Sequence, residues 1–204
     1  MTLVGQSLEC SRDDRVLFSD LDFNIGPGEA LLVEGRNGTG KTTLLRMICG
    51  IRRPDAGDIL FDGECIFRLG SDYHTHMAYV GHMDGIKREL TAEENLRVAD
   101  ALGRPGRMRI PEALERVRLG GFEDVTANKF SAGQRRRLAL ARLLVSSAAL
   151  WILDEPFTSL DRHGVKLVEE LMAEHTGDGG MLAVTSHHDV DLGSAGVFRL
   201  DLSA

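Results

Sequence analysis

A chain of 204 residues with 43% hydrophobic content can bury one large core but leaves no length for a fused membrane domain. Its 31 acidic and 24 basic residues give a formal charge of −7, which argues against a sequence-independent grip on nucleic acid or anionic lipid. No stretch approaches the roughly 20 uninterrupted apolar residues of a membrane span. Met1 to Asp14 lacks the basic head and apolar core of a secretory signal. Cys10, Cys49 and Cys65 are odd in number and widely spaced, so they read as reduced structural thiols without metal-ligand spacing, Cys49 being the one expected to be buried.

Along the chain, residues up to about Gly28, with Asp58 to Phe67, alternate in strand fashion and predict an antiparallel layer. The apolar run Ala30 to Val33 leads into Gly35-Arg36-Asn37-Gly38-Thr39-Gly40-Lys41-Thr42, which fits the P-loop pattern G-x-x-x-x-G-K-(S/T). A helix carrying Leu44 and Ile48 follows, and it ends at Gly50 before Pro54. Glycines permit the tight turn in which successive backbone N–H groups converge on α- and β-phosphates at a helix N-terminus, where the dipole also favours anions. Lys41 then reaches the β- and γ-phosphates, and the Thr42 hydroxyl, with Thr43 beside it, suits Mg²⁺, which prefers oxygen ligands. The competing reading is a glycine-rich turn that matches by chance; the strand–loop–helix context argues against it.

Ala78-Tyr79-Val80-Gly81 reads as a strand leading to His82. His74 and His76, beside Asp72 and Tyr73, read as an exposed turn rather than as haem ligands. Thr91 and Glu94 form a capping box, and Pro111 opens a helix with Leu114 and Val117 on one face, closed by Gly120-Gly121. Phe130-Ser131-Ala132-Gly133-Gln134 precedes an apolar helix with Leu140, Leu143 and Leu144. A Ser hydroxyl and a small-residue turn at a helix start make a second phosphate-binding surface. Arg135 to Arg137 read as local phosphate attraction and ordinary solvation rather than as a polyanion patch. Leu150 to Leu153 is a buried parallel strand that delivers Asp154 and Glu155 at its C-terminal end, where open α/β sheets bind ligands. Adjacent carboxylates repel there unless a cation is near, and Mg²⁺–ATP supplies one. Asp154 then assists the metal, usually through a water, and Glu155 orients or deprotonates the water that attacks the γ-phosphate. A helix with Val168, Leu171, Met172 and His175 and a strand from Met181 to Val184 lead to Thr185-Ser186-His187-His188.

The P-loop, Phe130 to Gln134 and Trp151 to Pro156 together resemble the ATP-binding subunit of an ABC transporter, whose signature is usually Leu-Ser-Gly-Gly-Gln. The resemblance implies a single α/β domain over residues 1–204: a P-loop NTPase of ABC type, with a RecA-like core, an antiparallel β layer and a helical subdomain inserted at about 88–147. It implies ATP and Mg²⁺ as ligands, with Gly35, Arg36, Asn37, Gly38, Thr39, Gly40, Lys41, Thr42 and Thr43 as cradle, Glu155, His187 and His82 as catalytic groups, and Thr42, Asp154 and His82 on the metal side. Ser131, Ala132, Gly133 and Gln134 would face the γ-phosphate held by a second ATPase copy in a head-to-tail dimer, and Asp161, in Ser159-Leu160-Asp161, would be the D-loop along that interface. His187 matches the switch histidine that contacts the γ-phosphate, with His188 one position away.

Two positions depart from that pattern: His82 stands where the family carries a Gln, and Arg12 where an aromatic ring stacks on adenine. A neutral imidazole can still hydrogen-bond a metal-bound water, and a guanidinium plane can stack on a base. His82, within Gly81 to Leu96, together with Phe18-Ser19, Gly121 to Asp124 and Trp151 to Thr158, looks like the ATPase subunit of the cytochrome c maturation (haem exporter) system. That likeness implies ATP hydrolysis coupled to haem export or delivery, an integral membrane subunit as partner, no nucleic acid, and a peripheral place on the cytoplasmic face of the inner membrane. The chain stopping at Ala204 reads as leaving no appended regulatory domain. The rival readings are another ABC transporter ATPase (lipoprotein release or efflux), separable by a genomic neighbour, and a soluble ABC ATPase, which usually shows a long coiled coil or two units in one chain.

Overall fold

The computed structural model describes every residue except Asp14, Pro105, Arg107, His188, Asp189 and Ala204. Alternating burial along β1 (Leu3–Arg12) and β2 (Arg15–Ile25) turns Leu3, Leu8, Cys10, Leu21, Phe23 and Ile25 to one face. β3 (Glu29–Glu34) runs into the P-loop and α1 (Lys41–Ile48). β4 (Ala56–Phe61) and β5 (Glu64–Cys65) complete an antiparallel sheet in the order β2-β1-β4-β5. The expected strand stops at Cys65: Ile66–Leu69 is a short helix, α2, which buries Ile66 and leaves Phe67 under the Arg53 guanidinium at 4.6 Å. Ser71–His74 is likewise a helical turn, α3, with Tyr73 fully buried and donating to Ile48 O at 2.7 Å. His74 is exposed, with Nε2 3.2 Å from Cys49 O, while the half-buried His76 packs on Phe61. Cys10 and Cys49 are both buried, and burial pushes the Cys49 thiol up to about 12.

β6 (Met77–Val80) is followed by α4 (Ala92–Leu102), α5 (Ile110–Arg116), a 3₁₀ turn (Ala127–Lys129) and α6 (Ala132–Leu144). The Thr91–Glu94 capping box forms with both of its bonds. The glycine pair does not close α5. The helix stops at Arg116, and Arg118 takes the left-handed conformation (φ 59°) while Leu119 N and Arg118 N bond back to Leu114 O and Glu115 O. That is a Schellman closure on a non-glycine residue. The buried Asn95 ties the segment after His82 to α4 through Lys87 N, Lys87 O, Leu90 O and Thr91 O.

β7 (Leu150–Asp154), α7 (Arg162–Gly177), β8 (Met181–Thr185) and β9 (Gly196–Asp201) complete a five-stranded sheet ordered β6-β7-β8-β3-β9, parallel in every pairing. Side-chain alternation splits its core in two. Leu31, Val33, Leu150, Ile152, Met181 and Ala183 pack against α1 and the antiparallel sheet. Ala30, Leu32, Trp151, Leu153, Leu182 and Val184 join one continuous cluster with α4, α5, α6 and α7. In that cluster His175 stacks on Trp151 at 4.0 Å with Nε2 3.1 Å from Met181 O, and burial pulls its pKa down from 6.5 to about 4. The folded state therefore binds this proton less readily than the unfolded chain. Stability is fully present above the unfolded value and is lost as pH falls toward the folded one. Between pH 6.5 and about 4 the loss from this group should reach roughly 3 kcal/mol, and denaturant midpoints of His175→Phe should lack that share of the pH dependence.

Candidate active site

In the five-stranded sheet the C-terminal ends of β3, β6, β7 and β8 lie on one edge, because all are parallel. Each ends in a segment that the sequence singles out: Gly35 to Lys41, Gly81-His82, Asp154-Glu155 and Thr185 to His187. Lys41, Thr42, Thr43, Asn37, Gly38, Gly40, His82, Glu155 and His187 consequently line one cavity of about 570 Å³, joined by Arg12, Leu17 and Thr158. Its size is that of a small-molecule site. Both departures from the family pattern, His82 and Arg12, fall on its wall.

Gly40 is the N-cap of α1, left-handed at φ 108°, and Gly38 also has positive φ, so the loop reaches the helix through turns that side chains disfavour. Lys41, only 7% exposed, lies inside this curve and donates to Gly35 O at 2.7 Å and Arg36 O at 3.4 Å. A phosphate oxygen would compete with these carbonyls for the same ammonium. Lys41 Nζ is also 3.3 Å from His187 Nε2 and 4.0 Å from Glu155 Oε1. Nε2 thus lies between an ammonium, toward which it can only offer its lone pair, and Glu155 Oε1 at 3.1 Å, toward which it can only donate, so the ring tautomer decides which of the two bonds forms.

Asp154 is 1% exposed. Its Oδ1 accepts from the Thr185 hydroxyl at 2.8 Å, and its Oδ2 is buried with no partner among the described residues. Mg²⁺ fits this donor set: Asp154 offers an unpaired carboxylate oxygen one residue before Glu155, which lines the cavity together with Thr42. No group of three or more His, Cys, Asp or Glu gathers as a metal site among the described residues, so an ion here would draw its other ligands from phosphate and water. Glu155 is left-handed (φ 49°), a strained state for a residue with a Cβ, and it aims its carboxyl toward Lys41 and His187.

The remaining expected residues lie elsewhere. Arg36 and Thr39 line a neighbouring cleft with Arg15 and Ser203, and Arg36 N donates to Ser203 Oγ. Gly35 and Asp154 do not line the cavity, and neither do Ser131, Ala132, Gly133, Gln134 and Asp161. Ser131 is the N-cap of α6, in a capping box with Gln134. Gly133 passes so close to the loop before α7 that a Cβ on it would lie 2.9 Å from Ser159 O, itself on a left-handed residue (φ 66°). Asp161 caps α7 by accepting from Gly164 N at 2.7 Å, which holds its carboxyl below the usual range. His188 lies outside the described residues.

Three groups escaped the motifs: Thr158 on the cavity wall, Thr185 behind the carboxylates, and Arg136. The arginine triplet is not a solvated patch. Arg135 pairs with Asp84 at 3.5 Å, Arg137 donates to Val117 O and Arg118 O, and Arg136, 4% exposed, is spent on carbonyls of the site loops.

Residues 18–158 match the ABC transporter family. The cytochrome c biogenesis ATP-binding export protein CcmA of Methylococcus capsulatus is 51% identical over 93% of this chain and 93% of its own length. The protein of the same name from Nitrosospira multiformis is 47% identical over 99% of both, and that from Escherichia coli 44% over 98% and 96%. Among solved structures, an ATP-binding subunit of an ABC transporter superposes with a TM-score of 0.82 at 27% identity, over 92% of this chain and 80% of that one. A dimeric, post-hydrolysis ATP-binding cassette bound to ADP and Pi superposes at 0.81 and 23% identity, over 97% and 94%, and shares the fold. A P-loop facing a buried aspartate and a left-handed glutamate on one sheet edge, together with full-length relatives at this identity, leads to one assignment: the chain belongs to the ABC transporter ATP-binding family and, within it, to the cytochrome c biogenesis ATP-binding export proteins.

Proposed function

We propose that this chain is the ATP-hydrolysing subunit of an ABC-type membrane complex that couples ATP use to haem export or delivery in cytochrome c maturation. The observation behind the chemistry is the meeting of Lys41, Glu155 and His187 at the mouth of the P-loop, with His187 Nε2 3.3 Å from Lys41 Nζ and 3.1 Å from Glu155 Oε1, and the two charged groups 4.0 Å apart. Lys41 and the loop N–H groups bind the triphosphate; Asp154 and Thr42 hold Mg²⁺, which when bound neutralises phosphate charge. Glu155 directs the attacking water, and His187 contacts the γ-phosphate. His82 bonds a water on the metal side, and Arg12 lies against the base. Ser131 to Gln134 and Asp161, which do not line their own chain's cavity, serve a second copy's nucleotide in a head-to-tail dimer, with residues of about 88–147 forming the helical subdomain that carries Ser131 to Gln134.

No helix among the described residues is long and apolar enough to cross a membrane. The relatives' name, an ATP-binding export protein, supports an integral membrane subunit as the partner and a peripheral place for the chain on the cytoplasmic face of the inner membrane. The relatives' shared name supports this reading over another transporter's ATPase. Purification from membranes with co-associated proteins tests it: recovery of a cytochrome c maturation membrane subunit, with ATP hydrolysis in the complex, is the expected result, and another transporter's subunit overturns it. Glutamine offers a different hydrogen-bonding group at this position, so turnover of the assembled protein and of His82→Gln should differ, and equal rates would remove the histidine's role.

A further inference from the structure

Buried side chains from other elements hold the backbone of Glu155 on both sides. Its N–H donates to Thr185 Oγ1 at 2.8 Å, and its C=O accepts from Arg136 Nη2 at 2.8 Å. Thr185, fully buried, closes β8; Arg136 lies on the first turns of α6. We propose that Thr185 and Arg136 are positioning residues for Glu155, fixing the left-handed turn that aims its carboxyl and letting the placement of α6 set that aim. The proposal rests on the reading of Glu155 as the group that directs water.

One hydroxyl performs two tasks here. Thr185 accepts the Glu155 N–H and donates its own hydrogen to Asp154 Oδ1, which occupies that oxygen and leaves Oδ2 unpaired. A valine has the same shape but would leave two buried polar groups unsatisfied. Among the described residues Arg136 has no carboxylate partner within bonding range. Its guanidinium instead donates to Pro156 O, Asp154 O and Glu155 O at the exit of β7 and to Gly81 O beside His82, at 2.7 to 3.0 Å. Burial opposes its charge, while Asp154 supports it. A lysine keeps the charge but lacks the planar fork that reaches these carbonyls together. Because α6 starts at the Ser131–Gln134 capping box, a shift of that helix start would pass through Arg136 to Glu155 and to the root of His82.

The test is a double-mutant cycle on the full-length chain in its assembled, ATP-hydrolysing form, with kcat and ATP affinity measured for Thr185→Val, Thr185→Ser and Arg136→Lys, alone and combined with Glu155→Gln. Thr185→Val and Arg136→Lys should each lower kcat by about 10-fold or more with ATP affinity held within about twofold, since a misaimed group costs rate rather than binding. Thr185→Ser, which keeps the hydroxyl, should restore the rate. In the Glu155→Gln background Arg136→Lys should alter residual turnover by less than about twofold, because the group being aimed is already gone, while Thr185→Val should keep only the smaller loss that runs through Asp154. An unchanged kcat in Thr185→Val and Arg136→Lys, or equal losses in both backgrounds, would overturn the proposal. Glu155→Gln turning over at the unmutated rate would instead remove the reading of Glu155 itself. If Thr185→Val does not fold, Arg136→Lys completes the same cycle.

Discussion

Lys41→Ala should weaken ATP binding by about 100-fold, which corresponds to about 2.7 kcal/mol, and reduce turnover with it. The size follows from burial. The ammonium is 8% exposed at the side chain and already surrounded by the groups with which a phosphate would compete for it: Gly35 O, Arg36 O, His187 Nε2 and Glu155 Oε1. Removing it deletes the positive charge placed among them and leaves Glu155 facing the triphosphate without that ammonium between. The loop itself should persist, because its turns are set by Gly38 and Gly40 and by the Thr39 N and Oγ1 bonds to Arg36 O. Lys41→Arg should not rescue, since a planar fork on a longer stem has no room at 7% exposure. Isothermal titration with non-hydrolysable ATP, beside thermal melts of the free chain, separates the two effects. Undiminished affinity with a lowered melting point would mean that Lys41 serves the loop and not the nucleotide.

The sequence carried the parallel strands and their exits almost completely, because each buried strand is a short apolar run that ends in polar residues: Leu32-Val33 before Gly35, Leu153 before Asp154, Val184 before Thr185. Where it misled, a local signal lost to a tertiary one. Gly120-Gly121 invites a helix end, yet Arg118 takes the left-handed cap because Leu119 can then reach the core and Arg137 can satisfy the exposed carbonyls of Val117 and Arg118. Ile66-Phe67 looks like the end of a strand, but Ile66 is buried by turning into a helix instead.

Arg135 to Arg137 look alike as letters and differ by position. Arg136 shares the helical face of Leu140 and Leu143, three to four residues apart, and that spacing was the available sign that it points inward. Thr185 gave no such sign, since a threonine closing an apolar strand is common, and only the register of β8 against β7, which sets it beside Asp154, shows what it bonds. Ser131 and Asp161, which do not line their own chain's cavity, read locally as helix caps, and they perform that role in the structure. A cap and a surface offered to another copy use the same hydroxyl and carboxylate chemistry, so neither sequence nor a single chain separates them.

Glu155→Gln is the sharper experiment, because it changes the chemistry while sparing almost everything else. The amide has the shape of the carboxylate, and the bonds that hold the residue in place run through its backbone to Thr185 and Arg136. What disappears is a negative charge 3.1 Å from His187 and 4.0 Å from Lys41, and with it the capacity to take a proton from water. Turnover should fall by about 100-fold or more, the range that a positioned general base contributes. ATP affinity should hold or rise, since one like charge near the γ-phosphate is removed. With hydrolysis blocked and binding intact, the ATP-closed dimer should accumulate and appear as a doubled mass in gel filtration with ATP but not with ADP. A variant that hydrolyses at the unmutated rate would take the water-directing role away from Glu155; one that is slow but stays monomeric at every ATP concentration would leave that role and remove the shared-nucleotide dimer, because a trapped triphosphate would then have no second surface to hold.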